Sequence, residues 1–263
     1  MNTRLKKLLG QVLPPLLVFA ILVGIWQAVV VSFSIKRYLL PSPLVLLESI
    51  RENFDELKSA TLMTAKGAGC GFLVTFVLGT GIGFLFSQSR FIRRGCYPYA
   101  IFLQTVPIVA IAPLIILWAG YGFQSVVIVS VIISLFPMVT NSTAGLLSVD
   151  PDLIDLFCMY GASRWQILLK LRFPNAVPHL VTGAKTSSGL AVIGAIVGEF
   201  FAGYGAASHT GLGQIVRVGS DQATDKLFAA VLASTGLGIL IFAIVNLVGG
   251  AILSRWYDGE QAK

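Results

Sequence analysis

Residues 150–178 read DPDLIDLFCMYGASRWQILLKLRFPNAVP, and the reading of this stretch decides the fold. It carries both charge signs and lies between two long apolar runs. Asp150-Pro151 offers a helix N-cap followed by proline at the first helical position. A short helix is predicted through Leu153, Leu156 and Phe157, stopping at Gly161, a natural C-terminal glycine. Ser163 caps a second helix, with Gln166 at the capping-box spacing. That helix carries Trp165, Leu168, Leu169 and Leu171 and is expected to end before Pro174. Lys170 and Arg172 fall in its last turn, where the helix dipole favours cations. Residues 175–178 then lead into the next apolar run. The product is a helix–turn–helix elbow whose first helix presents Leu156, Phe157, Met159 and Tyr160. On these residues alone two readings stay open: a knob that inserts into a partner's groove, or an elbow packed on its own bundle.

The flanks of the elbow set the class. Of 263 residues, 56% are hydrophobic and 12% charged, against about 25% charged in an average soluble domain. Apolar runs of bilayer length, about 20 residues each, recur along the chain. The reading is all-α and polytopic, with six spans at 12–33, 61–87, 97–119, 124–141, 176–202 and 227–252. The run after Arg4, Lys6 and Lys7 is too long for a signal-peptide core and shows no small-residue cleavage site, so it reads as a retained first span. Lys and Arg in alternate connecting segments number eleven against six. That bias puts both termini and the elbow in the cytoplasm. The net charge of +7 records topology and calls for no nucleic acid. Cys70, Cys96 and Cys158 are too scattered for a disulfide framework or a metal site, and His179 and His209 are isolated. No metal or cofactor site is expected in this chain.

Between the spans, Ser42-Pro43 suits a helix start. Leu47, Ile50, Phe54 and Leu57 then recur at helical spacing, which predicts one amphipathic helix on the outer membrane surface. Small residues fall four apart at Gly67, Gly71, Thr75, Gly79 and Gly83, and again at Gly183, Ser187, Ala191 and Ala195. Such stripes let helix backbones approach closely. They do not say whether the partner helix lies in this chain or another. Pro107, Pro113 and Pro137 are expected to break spans three and four, which suits a transport path and equally suits ordinary kinked packing. Glu199 continues the second stripe. An acid at membrane depth is costly, so it reads either as a gate or solute contact or as a structural partner of a nearby donor. Gly211-Leu212-Gly213, in the external loop before span six, reads either as a plain turn or as a shaped part of the outer rim. Asp221 and Asp225 read as solvated or capping charges.

The elbow and its surroundings resemble the permease subunits of binding-protein-dependent ABC importers. The loop motif of that family runs Glu-Ala-Ala, three residues, Gly, nine residues, Ile-x-Leu-Pro. Here Asp155 stands for the Glu, Leu156 and Phe157 for the alanines, and Gly161 and Pro174 keep their spacing. Ala162 and Ser163 follow the glycine, and Leu171 and Phe173 replace the Ile and Leu. Leu40-Pro41-Ser42-Pro43, Val106-Pro107-Ile108-Val109-Ala110, Pro113-Leu114, Gly211-Leu212-Gly213 and Thr224-Asp225 resemble the nitrate/sulfonate/taurine branch, which includes transporters of thiamine precursors. The stretch from Leu190 to Phe200 leans toward the pyrimidine/thiamine-precursor side.

The resemblance implies a multi-pass subunit of the bacterial cytoplasmic membrane. Two copies would form the path, cytoplasmic ATPase subunits would bind ATP and Mg and take the elbows, and an external solute-binding protein would deliver cargo. The implied organisation is a first helix with an external helix (1–60), a permease core (61–255, coupling elbow 150–174) and a short cytoplasmic tail (256–263). Asp155, Leu156, Phe157, Gly161, Ala162, Ser163 and Pro174 would couple to the ATPase, and Glu199, Pro107 and Pro113 would serve the path or its gate. No catalytic residue is expected here, and the chain has no GxxxxGK[ST] phosphate loop. The alternative from another class is a self-contained secondary carrier or channel, which would need more acids within the spans than Glu199.

Overall fold

The computed structural model describes residues 3–202 and 210–257, and every regular element among them is helical. In chain order these are α1 (Thr3–Ser32), α2 (Pro43–Glu52), α3 (Phe54–Gln88), α4 (Arg90–Thr105), α5 (Ile108–Ala119) and α6 (Phe123–Leu147). Then follow α7 (Pro151–Met159), α8 (Arg164–Ile167), a π-helical turn (Leu168–Arg172), α9 (Phe173–Ala202), α10 (Leu212–Gln222) and α11 (Thr224–Tyr257). Five of these helical rods are long and apolar enough to cross a bilayer. His209 and residues 258–263 of the expected tail lie outside the described residues, as does the side chain of Asp221.

The small-residue stripes find their partner inside this chain. Helix α6 packs on both α3 and α9, which also meet each other. Gly67, Gly71, Thr75, Gly79 and Gly83 are all buried on α3, and Gly183, Ser187, Ala191 and Ala195 on α9. A side chain at Gly79 would strike Met138 of α6, and one at Gly71 would strike Ser130. The close approach is fastened by a polar seam. Thr75 and Ser134 share a hydrogen bond of 2.7 Å, Ser130 Oγ donates to the Ala191 carbonyl at 2.8 Å, and Ser187 Oγ donates to the Ser134 carbonyl at 2.8 Å. With lipid tails as apolar as the helices themselves, such contacts and dispersion hold the rods together. By contrast, α1 lies outside this trio, and Leu16, Phe19 and Leu22 are more than half exposed.

Five expectations need correction. The expected third span, 97–119, is two helices, α4 and α5, bent by 101°. Proline disfavours helical geometry in the residue before it, and Val106 is extended there (ψ 128°), with Pro107 at the N-cap of α5. Pro113 and Pro137 do not break their helices; both lie inside continuous ones. The second limb of the elbow does not stop before Pro174. It continues through the π-turn into α9, with the Phe173 N–H reaching back to the Leu168 carbonyl. That widened turn lets the chain pass a residue with no N–H and a bulky ring. The outer amphipathic helix ends at Glu52, so Phe54 and Leu57 belong to α3. The Asn53 side chain and backbone N–H both bond the Ser49 carbonyl and close the first helix. Its buried residues are Leu46 and Ser49, while Leu47 is 63% exposed. Finally, the expected external loop contains α10, and Gly211 is its N-cap rather than part of a plain turn.

Candidate functional site

Two constellations lie at opposite ends of the rod formed by α8, the π-turn and α9. Arg172 and Glu199 are roughly 40 Å apart along it, at 1.5 Å of rise per residue.

At the first end the elbow is built from local hydrogen bonds. Asp150 caps α7 by accepting from the Asp152 N–H at 3.0 Å, and Pro151 follows at the first helical position. The helix closes in a Schellman motif. The Gly161 N–H donates to the Cys158 carbonyl at 2.9 Å and the Ala162 N–H to the Phe157 carbonyl at 3.0 Å. Gly161 has φ +71°, a left-handed conformation that penalises a Cβ. Ser163 and Gln166 complete a capping box: Ser163 N–H to Gln166 Oε1 at 2.7 Å, and Gln166 N–H to Ser163 Oγ at 3.3 Å. Pro174 lies one residue into α9.

The two limbs differ in how they are held. The second is anchored: Ile167 and Leu168 are buried, the Trp165 and Phe84 rings lie 5.8 Å apart, and Arg172 Nη1 donates to the Ser87 carbonyl at 3.0 Å. The first limb buries none of its own residues. Asp155 and Leu156 are exposed, Phe157 is half-buried, and Met159 and Tyr160 are each 85% exposed. The chain thus presents a knob of fixed shape whose apolar tip, Met159 and Tyr160, is left uncovered by the described residues.

At the other end, Glu199 is 5% exposed. Its Oε2 accepts from the Thr64 hydroxyl of α3 at 2.8 Å and from the Gly213 N–H of α10 at 3.0 Å. Thr64 Oγ1 in turn accepts from the Leu212 N–H at 2.9 Å. A carboxyl and a hydroxyl therefore satisfy two of the orphan N–H groups at the start of α10 and complement its dipole. A Cβ at Gly211 would overlap the Glu199 carboxyl, and one at Gly213 would overlap the Ile196 carbonyl oxygen. These two glycines let α10 seat on α9. The structure brings Glu199, Gly211 and Gly213 together with Thr64, a residue the sequence reading passed over because an isolated threonine in an apolar helix carries no signal. Pro107 and Pro113 are not part of this cluster. Both are exposed, at the bend and on α5, and α5 reaches α9 through the apolar group of Ala112, Ile115, Val197 and Phe201. Asp225, at the start of α11, pairs with Arg37 at 2.7 Å.

Comparison with known proteins gives a consistent family. Residues 71–256 match the model of the binding-protein-dependent transport system inner membrane component. The chain is 32% identical to a probable ABC transporter permease protein of Haemophilus influenzae, over 90% of this chain and 95% of that one. It is also 32% identical to the formylaminopyrimidine transport permease protein ThiX of Halalkalibacterium halodurans, over 92% and 96%. The riboflavin transport system permease protein RibX of Chloroflexus aurantiacus is 31% identical over 90% and 87%. Among solved structures, an inward-facing MetNI methionine ABC transporter superimposes with a TM-score of 0.61 at 20% identity, covering 76% of this chain and 95% of that one. That likeness speaks for the fold alone.

Proposed function

The chain belongs to the inner membrane component family of binding-protein-dependent transport systems, and from that premise we propose that it forms the solute path of an ABC importer and is driven through its elbow. The observation that carries this reading is α7. It is fixed in shape by caps at both ends, buries none of its residues, and holds Met159 and Tyr160 out of the protein. An apolar knob of this kind is stable in water only at a cost and fits a groove in another protein. The anchored limb would carry movement from the knob into α9.

In this reading the bent pair α4–α5 serves as one crossing, so that the chain crosses the membrane six times. Both termini and the elbow then face the cytoplasm, as the excess of basic residues on that side favours. Residues 61–255 act as the permease core, and 1–60 supply the first membrane helix and the external helix. Two copies enclose the path, an external binding protein presents the solute, and ATP and Mg are bound by a separate ATPase. Asp155, Leu156, Phe157, Gly161, Ala162, Ser163 and Pro174 shape the coupling contact. Glu199, which also fastens α10, and at a separate place Pro107 and Pro113, border the path or its gate. The solute is a small organic molecule or anion, with a pyrimidine or thiamine precursor favoured by the likeness to ThiX over a sulfonate, taurine or nitrate.

The test is co-expression with a candidate ATPase and binding protein, followed by reconstitution in vesicles. Co-purification of the ATPase and ATP-dependent uptake of a labelled formylaminopyrimidine are expected. Uptake by this chain alone, driven by an ion gradient, would overturn the reading in favour of a secondary carrier. Uptake of a sulfonate instead would replace the solute and leave the coupling intact.

A further inference from the structure

Beside the elbow, where the spans end, lies a cavity of about 490 Å³. Four arginines line it: Arg90 and Arg93 from the start of α4, Arg164 from α8 and Arg172 from the π-turn. Leu147, the last residue of α6, and Ile154 of α7 complete its apolar wall. Among the described residues the ion pairs are Arg37–Asp225 and Lys226–Glu56, so none of these four guanidiniums meets a carboxylate within salt-bridge distance. Arg172 uses one N–H on the Ser87 carbonyl. The first turn of α4 adds to the imbalance. It contains no acidic residue, yet a helix N-terminus is already the positive end of the dipole and favours anions. Converging like charges in a concavity repel one another unless an anion sits between them.

We propose that this cavity binds a phosphate group, held by the guanidiniums of Arg90, Arg93 and Arg164 with Arg172 fixing the wall. Arginine forks match phosphate oxygens two at a time, which a scatter of lysines would not do. The location selects the source. The cavity opens where α3 and α6 end and α4 begins, beside Phe91, which is 87% exposed. Basic pockets between membrane helices at this depth suit the head groups of anionic phospholipids. A bound lipid phosphate would tie the start of α4 to the anchored limb of the elbow, so the head group would brace the part that has to move.

The experiment uses the full chain purified with its ATPase and exchanged into nanodiscs of phosphatidylcholine alone or with a tenth of cardiolipin. Lipid retained after detergent exchange is counted by native mass spectrometry. About one tightly held anionic lipid per permease chain is expected. Its affinity should fall at least tenfold in the triple substitution Arg90→Gln, Arg93→Gln, Arg164→Gln, and should weaken with added salt. Arg172 is left in place because it bonds the end of α3. The matching triple lysine variant, which keeps the charge but not the fork, should bind at an intermediate level and serves as a folding control. Inorganic phosphate is the second probe. Binding of phosphate alone, lost in the same glutamine variant, supports the site and assigns it a soluble anion. Equal retention of anionic lipid by wild type and glutamine variant, with no phosphate binding, overturns it. So does loss of ATPase association in the glutamine variant with lipid retention unchanged, which would assign the arginines to acidic groups of the partner.

Discussion

At one end of the α8–α9 rod, the capping side chains of Asp150, Ser163 and Gln166 bond backbone two or three residues away. At the other, the Glu199 carboxyl meets a hydroxyl 135 residues distant in sequence, and that hydroxyl takes an N–H 148 residues away. Both regions interrupt apolar sequence with polar groups, yet the outcomes are opposite. The elbow satisfies its backbone within itself, so its shape does not depend on the bundle, and its large apolar side chains are left outside. The carboxyl clasp satisfies α10 through α3 and α9, so it exists only when three helices have assembled. The difference separates two kinds of part: one made to meet another protein, one made to hold this protein together. Substitutions should divide along that line, with damage to the clasp appearing as lost stability and damage to the elbow as lost coupling.

The largest effect on stability is expected at Gly213. A Cβ there would overlap the Ile196 carbonyl oxygen and come within 2.9 Å of the Phe200 nitrogen. Both are helix backbone and cannot swing away. Gly213→Val should destabilise the detergent-solubilised protein by about 3 kcal/mol, at the upper end for overpacking, and expose α10 to protease. A wild-type unfolding midpoint would show that α10 is not clamped at all. Thr64→Val comes next. It keeps the shape but removes the acceptor for the Leu212 N–H and a donor to Glu199. Leaving a buried N–H unpaired should cost about 2 kcal/mol. Thr64→Ser, which keeps the hydroxyl, should recover most of it, and failure to do so would assign the loss to the methyl group's packing. Glu199→Gln retains an oxygen acceptor, so it should unfold close to wild type while still reporting on uptake.

Gly161→Val crosses the line between the two regions. It forces a β-branched residue to φ +71°, at a cost of about 1–2 kcal/mol. Nothing lies within 4 Å of its would-be Cβ, so the strain falls on the turn and not on packing. Because α7 buries none of its residues, the turn can release that strain by opening locally while the bundle stays folded, so the expected result is a smaller drop in unfolding midpoint than for Thr64→Val, with ATP-coupled uptake lost. A large drop in midpoint would mean that the elbow is part of the folding unit, and the contrast with the clasp would collapse.

The same contrast explains what the sequence could and could not reveal. The elbow was legible because capping box, proline start and Schellman glycine are written within a few residues of one another. The stripes on α3 and α9 were legible for the same reason, since spacing of four is local. Their shared partner was not: α6 has no comparable glycine row, and it meets them through Ser130, Ser134 and Met138, ordinary residues in an apolar helix. The end of the elbow was misread because Pro174 is a helix stop by local rules, and the π-turn that carries the chain past it has no sequence signature. The clasp was half legible. Glu199 stood out by its cost at membrane depth, whereas Thr64 and α10 could be connected to it only through three-dimensional proximity.

The smallest effect on the fold, and the sharpest separation of the two regions, is expected at the tip of α7. Met159 and Tyr160 are each 85% exposed and touch no core, so Met159→Ser with Tyr160→Ser should change stability by no more than about 0.5 kcal/mol, the usual range for surface positions. Free of a partner, such a change is neutral or even favourable, since it removes apolar area from water. In a complex the sign reverses. Fully burying one large apolar side chain contributes about 1.5–3 kcal/mol, and every 1.4 kcal/mol is about a tenfold change in affinity. Each serine should therefore weaken binding of the ATPase by roughly tenfold or more, read as the concentration needed to saturate the solubilised permease. The corresponding change in the clasp, Thr64→Val, should lower the unfolding midpoint and leave that concentration alone. If the serine pair binds the ATPase as tightly as the wild type, α7 is not the surface that the partner covers, and the knob must be read as lying on its own assembly.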